Sequence, residues 1–299
     1  MRSLTALLAL AVLAANGPQA ATAQTAFGAQ GAEGEPGRRQ QWLVPSPALE
    51  VAAHAVLFRP PGDGPFPLAV IAHASTQNVL RRAQMPQPEY RALAAWLVAR
   101  GFAVLVPERP GHGATGGKYL EDQGGCDEAD YAKAGRATAD VIAAAVGLVR
   151  KQSFIRPDGI VVIGHSAGAW GALALAREDP KDVAAIIAFA PGRGGHANDF
   201  PNRVCAPHTL MSAAGAFGKA ARVKVTWLVA DNDSYFSPAF SRQLADAFRA
   251  AGGKADFSVL AAYGSEGHWL PETEGGVKLA GPELERALKP RPLAPASKR

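Results

Sequence analysis

From Val51 onward, short continuous apolar runs alternate with longer stretches whose apolar residues recur at helical spacing. Ala55–Phe58, Leu68–Ala72, Phe102–Val106, Ile160–Ile163, Val183–Phe189, Val223–Val229 and Phe257–Leu260 are the runs, and each reads as a strand. Ile160–Ile163 is apolar on both faces, as a strand in the middle of a helix-covered parallel sheet must be. Between the runs, Tyr90–Arg100 places Leu93, Trp96 and Leu97 at helical spacing and is stopped by Gly101. Ala129–Lys151, Ala169–Arg177 and Pro238–Ala251 read as further helices. This alternation predicts the α/β class: a mostly parallel central sheet of about eight strands with helices on both faces. The stretch from Pro191 to Arg222, broken by Gly, Asn and Pro, predicts a small cap segment. No internal repeat of fixed period is present.

The ends read differently. Arg2 followed by the apolar run Leu4–Ala15, the breakers Gly17 and Pro18, and small residues at Ala21 and Ala23 has the pattern of a secretory signal peptide over residues 1–23. The run is too short to span a bilayer. Residues 24–45, rich in Gly, Ala, Gln and Pro, are expected to be a flexible lead-in, residues 46–290 one folded domain, and residues 291–299 a mobile tail. The expected location is therefore periplasmic or secreted, with no stable membrane insertion after signal cleavage.

Composition narrows the class. A chain of 299 residues with 48% hydrophobic and 19% charged residues can bury one large core and is not of disordered type. The net charge is +5, but the basic residues are scattered in short pairs such as Arg38-Arg39 and Arg81-Arg82, without the dense stripe a nucleic-acid surface needs. The two cysteines, Cys126 and Cys205, fall in loops expected at the same edge of the sheet. In an exported protein they read as a disulfide, with two free thiols as the alternative. Neither has a Cys or His at ligand spacing, so no metal and no organic cofactor is implied. Oligomeric state is not legible.

The strongest chemical signal is Gly164-His165-Ser166-Ala167-Gly168, which follows an apolar strand and opens a helix. A serine hydroxyl is a weak nucleophile without a base, and a tight Gly-x-Ser-x-Gly turn between strand and helix exposes it to one. The base in such an arrangement is a histidine late in the chain, and the orienting acid lies between the two. Of seven histidines, only His268 follows the last strand, in a loop with Gly264 and Gly267. His73, His112 and His165 precede the serine and read as loop-ordering groups, while His54 reads as a strand residue. The acid follows Val223–Val229, where Asp231 and Asp233 are equal candidates from the loop alone. Backbone N–H groups for an oxyanion are expected from Ala167 and from Ser75, with Thr76 as the alternative to Ser75.

These residues resemble the α/β-hydrolase superfamily, in particular its dienelactone-hydrolase-like and prolyl-oligopeptidase-like branches. The resemblance runs from Val51 to about Leu270. It rests on His73-Ala74, Arg109-Pro110-Gly111-His112-Gly113, Gly164–Gly168, Ala230-Asp231-Asn232-Asp233 and Gly267-His268. It implies that Asp233 is the acid. Dienelactone hydrolases use a cysteine nucleophile, and Ser166 departs from them, as Ala74 departs from the usual glycine. The expectation is a serine hydrolase of a small-molecule carboxylic ester. A peptidase or amidase of prolyl-oligopeptidase type, or an inactive binding protein on the same scaffold, are the alternatives.

Overall fold

The computed structural model describes residues 26–289 of the chain, so the expected signal peptide and tail lie outside the described residues. Nine strands form one open sheet: β1 (Gly28–Ala29), β2 (Gln40–Val44), β3 (Ala53–Phe58), β4 (Leu68–Ala72), β5 (Ala103–Pro107), β6 (Ile160–His165), β7 (Val183–Phe189), β8 (Val225–Ala230) and β9 (Ala255–Leu260). Their spatial order is β1-β2-β3-β5-β4-β6-β7-β8-β9. The first four in that order pair antiparallel, and β5 through β9 are parallel. The expected α/β class and mostly parallel sheet are observed.

The period of two along each central strand builds two cores. Leu68, Val70, Leu105, Ile160 and Val162 point to the face covered by α3 (Tyr131–Val149), α4 (Ala167–Arg177), α5 (Pro207–Gly218) and α6 (Pro238–Ala250). Ala69, Ile71, Val104, Val161 and Ile163 point to the other face, covered by α2 (Arg91–Val98) and α7 (Glu274–Leu288). Each fully buried Leu or Ile contributes about 1.5–3 kcal/mol by leaving water. Helix starts are marked as their chemistry requires: Asp130 accepts from Lys133 N at 2.8 Å ahead of α3, and Ser237 precedes Pro238 at the start of α6. The short α1 (Val79–Ala83) is capped by Asn78.

Two expectations are corrected. The stretch read as a flexible lead-in carries β1 and β2, which pair antiparallel with each other and, through β2, with β3. Within β2, Trp42 and Val44 are buried while Gln41 and Leu43 are not, an alternation hidden by the polar composition around it. In the expected cap, residues 207–218 form α5, whose Leu210, Ala214 and Phe217 join the main core. Only the part before α5 lies over the site. Pro207 sits in the first turn of that helix, a position that tolerates proline because the missing N–H has no intrahelical partner.

Candidate active site

Ser166 lies between the end of β6 and the start of α4, with φ 54° and ψ −117°. A non-glycine residue held at positive φ stores about 1–3 kcal/mol of backbone strain. The surroundings impose it. A Cβ on Gly164 would lie 2.3 Å from Ala169 Cα, and one on Gly168 would lie 2.1 Å from the Ala72 carbonyl oxygen. Both glycines of the pentapeptide are therefore required by close backbone approach. Ser166 N donates to Phe189 O at 2.9 Å, pinning the turn to β7. The Ser166 side chain makes no hydrogen bond among the described residues and lines a cavity of about 1160 Å³.

Asp233 follows β8, and its two carboxylate oxygens have separate tasks. Oδ1 accepts from Tyr235 N at 2.9 Å and Phe236 N at 2.8 Å, which locks the carboxylate plane. Oδ2 faces His268 Nδ1 at 2.9 Å, with both side chains buried. As Asp233 accepts only, Nδ1 carries the proton and Nε2 of His268 is bare. His268 sits in a 3-10 helix, Gly267–Glu272, after β9, and lines the same cavity as Ser166. Glu266 ties the two loops together, accepting from His268 N at 2.9 Å, from Ser234 N at 3.1 Å and from the Ser234 hydroxyl. Asp231, the other aspartate, is exposed.

The loop after β4 is held from all sides. Ala74 N donates to the Tyr90 hydroxyl at 3.1 Å, which donates to His165 Nδ1 at 2.9 Å, and His165 Nε2 donates to His268 O at 2.8 Å. Arg109 N donates to His73 Nε2 at 3.1 Å, so His73 Nδ1 donates to Ala74 O at 2.6 Å. His112 Nδ1 donates to Arg109 O at 3.0 Å, leaving Nε2 to accept from the Ser75 hydroxyl at 2.7 Å. The three histidines read as loop-ordering groups thus each have a neutral tautomer dictated by their partners. Burial pushes His112 down to about 4 and lowers His73 and His165 as well, with Arg109 adding to the effect on His73. Arg82 binds the carbonyls of Thr76 and Gln77 at 2.9 and 3.0 Å from behind. Ser75 N and Ala167 N, the latter at the first position of α4, have no hydrogen-bond partner among the described residues.

Beneath this loop, Arg109 and Arg193 converge on Glu121, all three buried. Burial pushes the Glu121 carboxyl up, and the two guanidinium groups outweigh it and hold the carboxyl well below the usual range. Cys126 and Cys205 are disulfide-bonded, with Cα atoms 4.9 Å apart. The bridge staples the loop ahead of α3 to the loop that runs over the cavity. Tyr90, Glu266, Arg82 and the Arg109–Glu121–Arg193 group were not legible in the sequence, because their partners are distant in the chain and follow no spacing rule. Among the described residues, no helix is long and apolar enough to cross a membrane.

The family described as serine aminopeptidase, S33, matches residues 87–221, which include Ser166 but stop short of Asp233 and His268. No curated protein sequence matches the chain. Among solved structures, Est1E from Butyrivibrio proteoclasticus is similar at TM-score 0.54 and 16% identity, covering 83% of this chain and 99% of that one. Acetyl xylan esterase 1 from a Thermoanaerobacterium species is similar at TM-score 0.56 and 15% identity, covering 88% and 86%. A Mycobacterium tuberculosis puromycin-hydrolyzing peptidase is similar at TM-score 0.59 and 14% identity, covering 86% and 40%. The chain spans 35–43% of the length of the peptidases it resembles. With this sheet order, the serine turn after β6 and these likenesses, the protein has the α/β-hydrolase fold.

Proposed function

We propose that the protein is an exported serine hydrolase that cleaves a carboxylic ester through an acyl-enzyme. The observation that carries this reading is the buried Asp233–His268 pair, 2.9 Å apart, whose imidazole lines the same cavity as Ser166 on its strained turn. In the proposed cycle, His268 Nε2 removes the Ser166 proton as Oγ attacks the ester carbonyl. Asp233 holds the Nδ1–H tautomer and stabilises the imidazolium. The amides of Ala167 and Ser75 receive the oxyanion. His268 then gives its proton to the departing alkoxide, and water, activated by the same imidazole, releases the acid and restores Ser166. Export is supported by the signal-like start of the sequence and by the Cys126–Cys205 bridge, since disulfides persist in oxidising compartments.

An ester is the first reading because the solved structures that the chain matches over most of both lengths include esterases. The serine aminopeptidase match favours peptides as the second reading. The test is a fluorophosphonate probe mapped to its labelled residue, beside turnover of nitrophenyl acyl esters and peptide anilides. Labelling at Ser166, ester turnover and a loss of about 10⁴-fold or more in kcat for Ser166→Ala are expected. Anilide turnover exceeding ester turnover would replace the ester reading with the peptidase one, and an unlabelled, inactive protein would leave only the binding scaffold.

A further inference from the structure

The cavity holds polar groups that the proposed chemistry does not use. Gln123 lines it and is only 4% exposed, yet its carboxamide makes no hydrogen bond among the described residues, and its oxygen is buried. A buried amide without a partner is uncommon and calls for a ligand or a water. On the other side of the disulfide, His196 also lines the cavity. Its tautomer follows from its neighbours. The Ser234 hydroxyl donates to Glu266, so its oxygen can only accept from His196 Nε2, 2.8 Å away. Nδ1 of His196 is then bare, and it has no partner among the described residues. The ring is fixed by stacking on Tyr235 at 3.7 Å and 7°, and Tyr235 in turn stacks on His268 at 4.2 Å. Gln123 lies three residues before Cys126 and His196 nine before Cys205, so the bridge holds together the two segments that carry these groups.

The alcohol side of the cavity can be located. His268 protonates the departing alcohol in the cycle above, so that moiety lies beside His268. Trp269 is there, 40% exposed and standing edge-on to the His268 ring at 5.3 Å. A broad aromatic surface and unpartnered hydrogen-bonding groups lining one cavity suit a ring that is apolar on its C–H face and hydroxylated at its rim. A purely hydrocarbon alcohol would leave the Gln123 amide nitrogen and His196 Nδ1 facing it with nothing to bond. We propose that the substrate is an ester of a polyhydroxylated alcohol, a sugar or comparable polyol, with Gln123 and His196 bonding its hydroxyls and Trp269 packing against its carbon face. This deepens the esterase reading and rests on it.

The test compares methyl glucoside acylated at its primary hydroxyl with the cyclohexylmethyl ester of the same acid, as acetates and as butyrates. The pair shares the acyl group, the primary alcohol and the ring size, and differs in the hydroxyls, the ring oxygen and the methoxy group. The expected kcat/KM favours the sugar ester by about tenfold or more in the intact protein, which corresponds to about 1.4 kcal/mol. Gln123→Leu and His196→Phe, the latter keeping a stacking ring on Tyr235, should each lower that ratio severalfold, with thermal melts checking the fold. If a variant fails to fold, the ratio in the unmodified protein decides. A protein labelled by fluorophosphonate at Ser166 that prefers the cyclohexylmethyl ester, cleaves neither ester, or keeps its ratio in both folded variants overturns the inference alone. A protein left unlabelled overturns the reading beneath it.

Discussion

Mild acid should destabilise this protein through histidines before its carboxylates take part. His112 ordinarily titrates near 6.5, and burial brings it to about 4. Burial also lowers His73 and His165, and all three are neutral in the folded state by their hydrogen-bond partners. The unfolded chain protonates each near its ordinary value. Between that value and the lower folded one, the unfolded state binds more protons, so stability is complete above about pH 6.5 and is lost as pH falls. For His112 the drop from 6.5 to about 4 is worth about 3 kcal/mol at about 1.36 kcal/mol per unit. That is a large share of the ~5–15 kcal/mol that typical domains possess. Glu121, held low by Arg109 and Arg193, contributes a loss only as pH falls below the ordinary carboxylate value of 4.5. Urea unfolding between about pH 7.5 and 4.5 isolates the histidines, because the slope of stability against pH counts the protons that the unfolded chain takes up in excess. We expect a flat region above neutrality, then a slope of at least one proton below pH ~6.5, reduced by about one proton in His112→Gln. Stability independent of pH down to about 5, or an unchanged slope in His112→Gln, would refute the tautomer assignments.

Three further outcomes follow from the site. Asp233→Asn should lower kcat by about 10⁴ with little change in fold, whereas exposed Asp231→Asn stays near the unmodified rate, and nitrophenyl ester kinetics would expose the reverse order. Gly168→Ala places a methyl group 2.1 Å from the Ala72 oxygen and should cost about 1–3 kcal/mol or more while weakening fluorophosphonate labelling, as urea midpoints and labelling rates would report. Paired Cys126→Ser and Cys205→Ser opens a bridge between residues 79 apart and should cost about 4 kcal/mol in chain entropy, read as a lower melting temperature than the oxidised protein.

The central strands were legible because each carries its own evidence. Leu68–Ala72 and Val183–Phe189 are observed with the bounds their apolar runs predict. The serine turn was equally plain, since the glycines it needs are neighbours in the chain. β2 was missed because its two buried residues, Trp42 and Val44, stand among glutamines in an edge region. α5 was missed because Ala and Gly supply much of its packing surface, and Cys205 and Pro207 read as loop. Choosing between Asp231 and Asp233 lay beyond periodicity, as it depends on how the turn after β8 meets a loop more than thirty residues on. Gln123, His196 and Glu266 carry no motif at all. Their roles arise only when segments distant in sequence are brought together.

The three groups in the proposed triad hang from β6, β8 and the turn after β9. The serine turn is a local structure, completed by β6, α4 and their neighbours. The imidazole arrives only when the outermost strand on that side of the sheet has docked. Recovery of turnover during refolding therefore requires that docking event in addition to the serine turn. In a growing chain the proposed nucleophile, Ser166, is made well before its proposed base, His268, and stays idle until that later segment has folded against it.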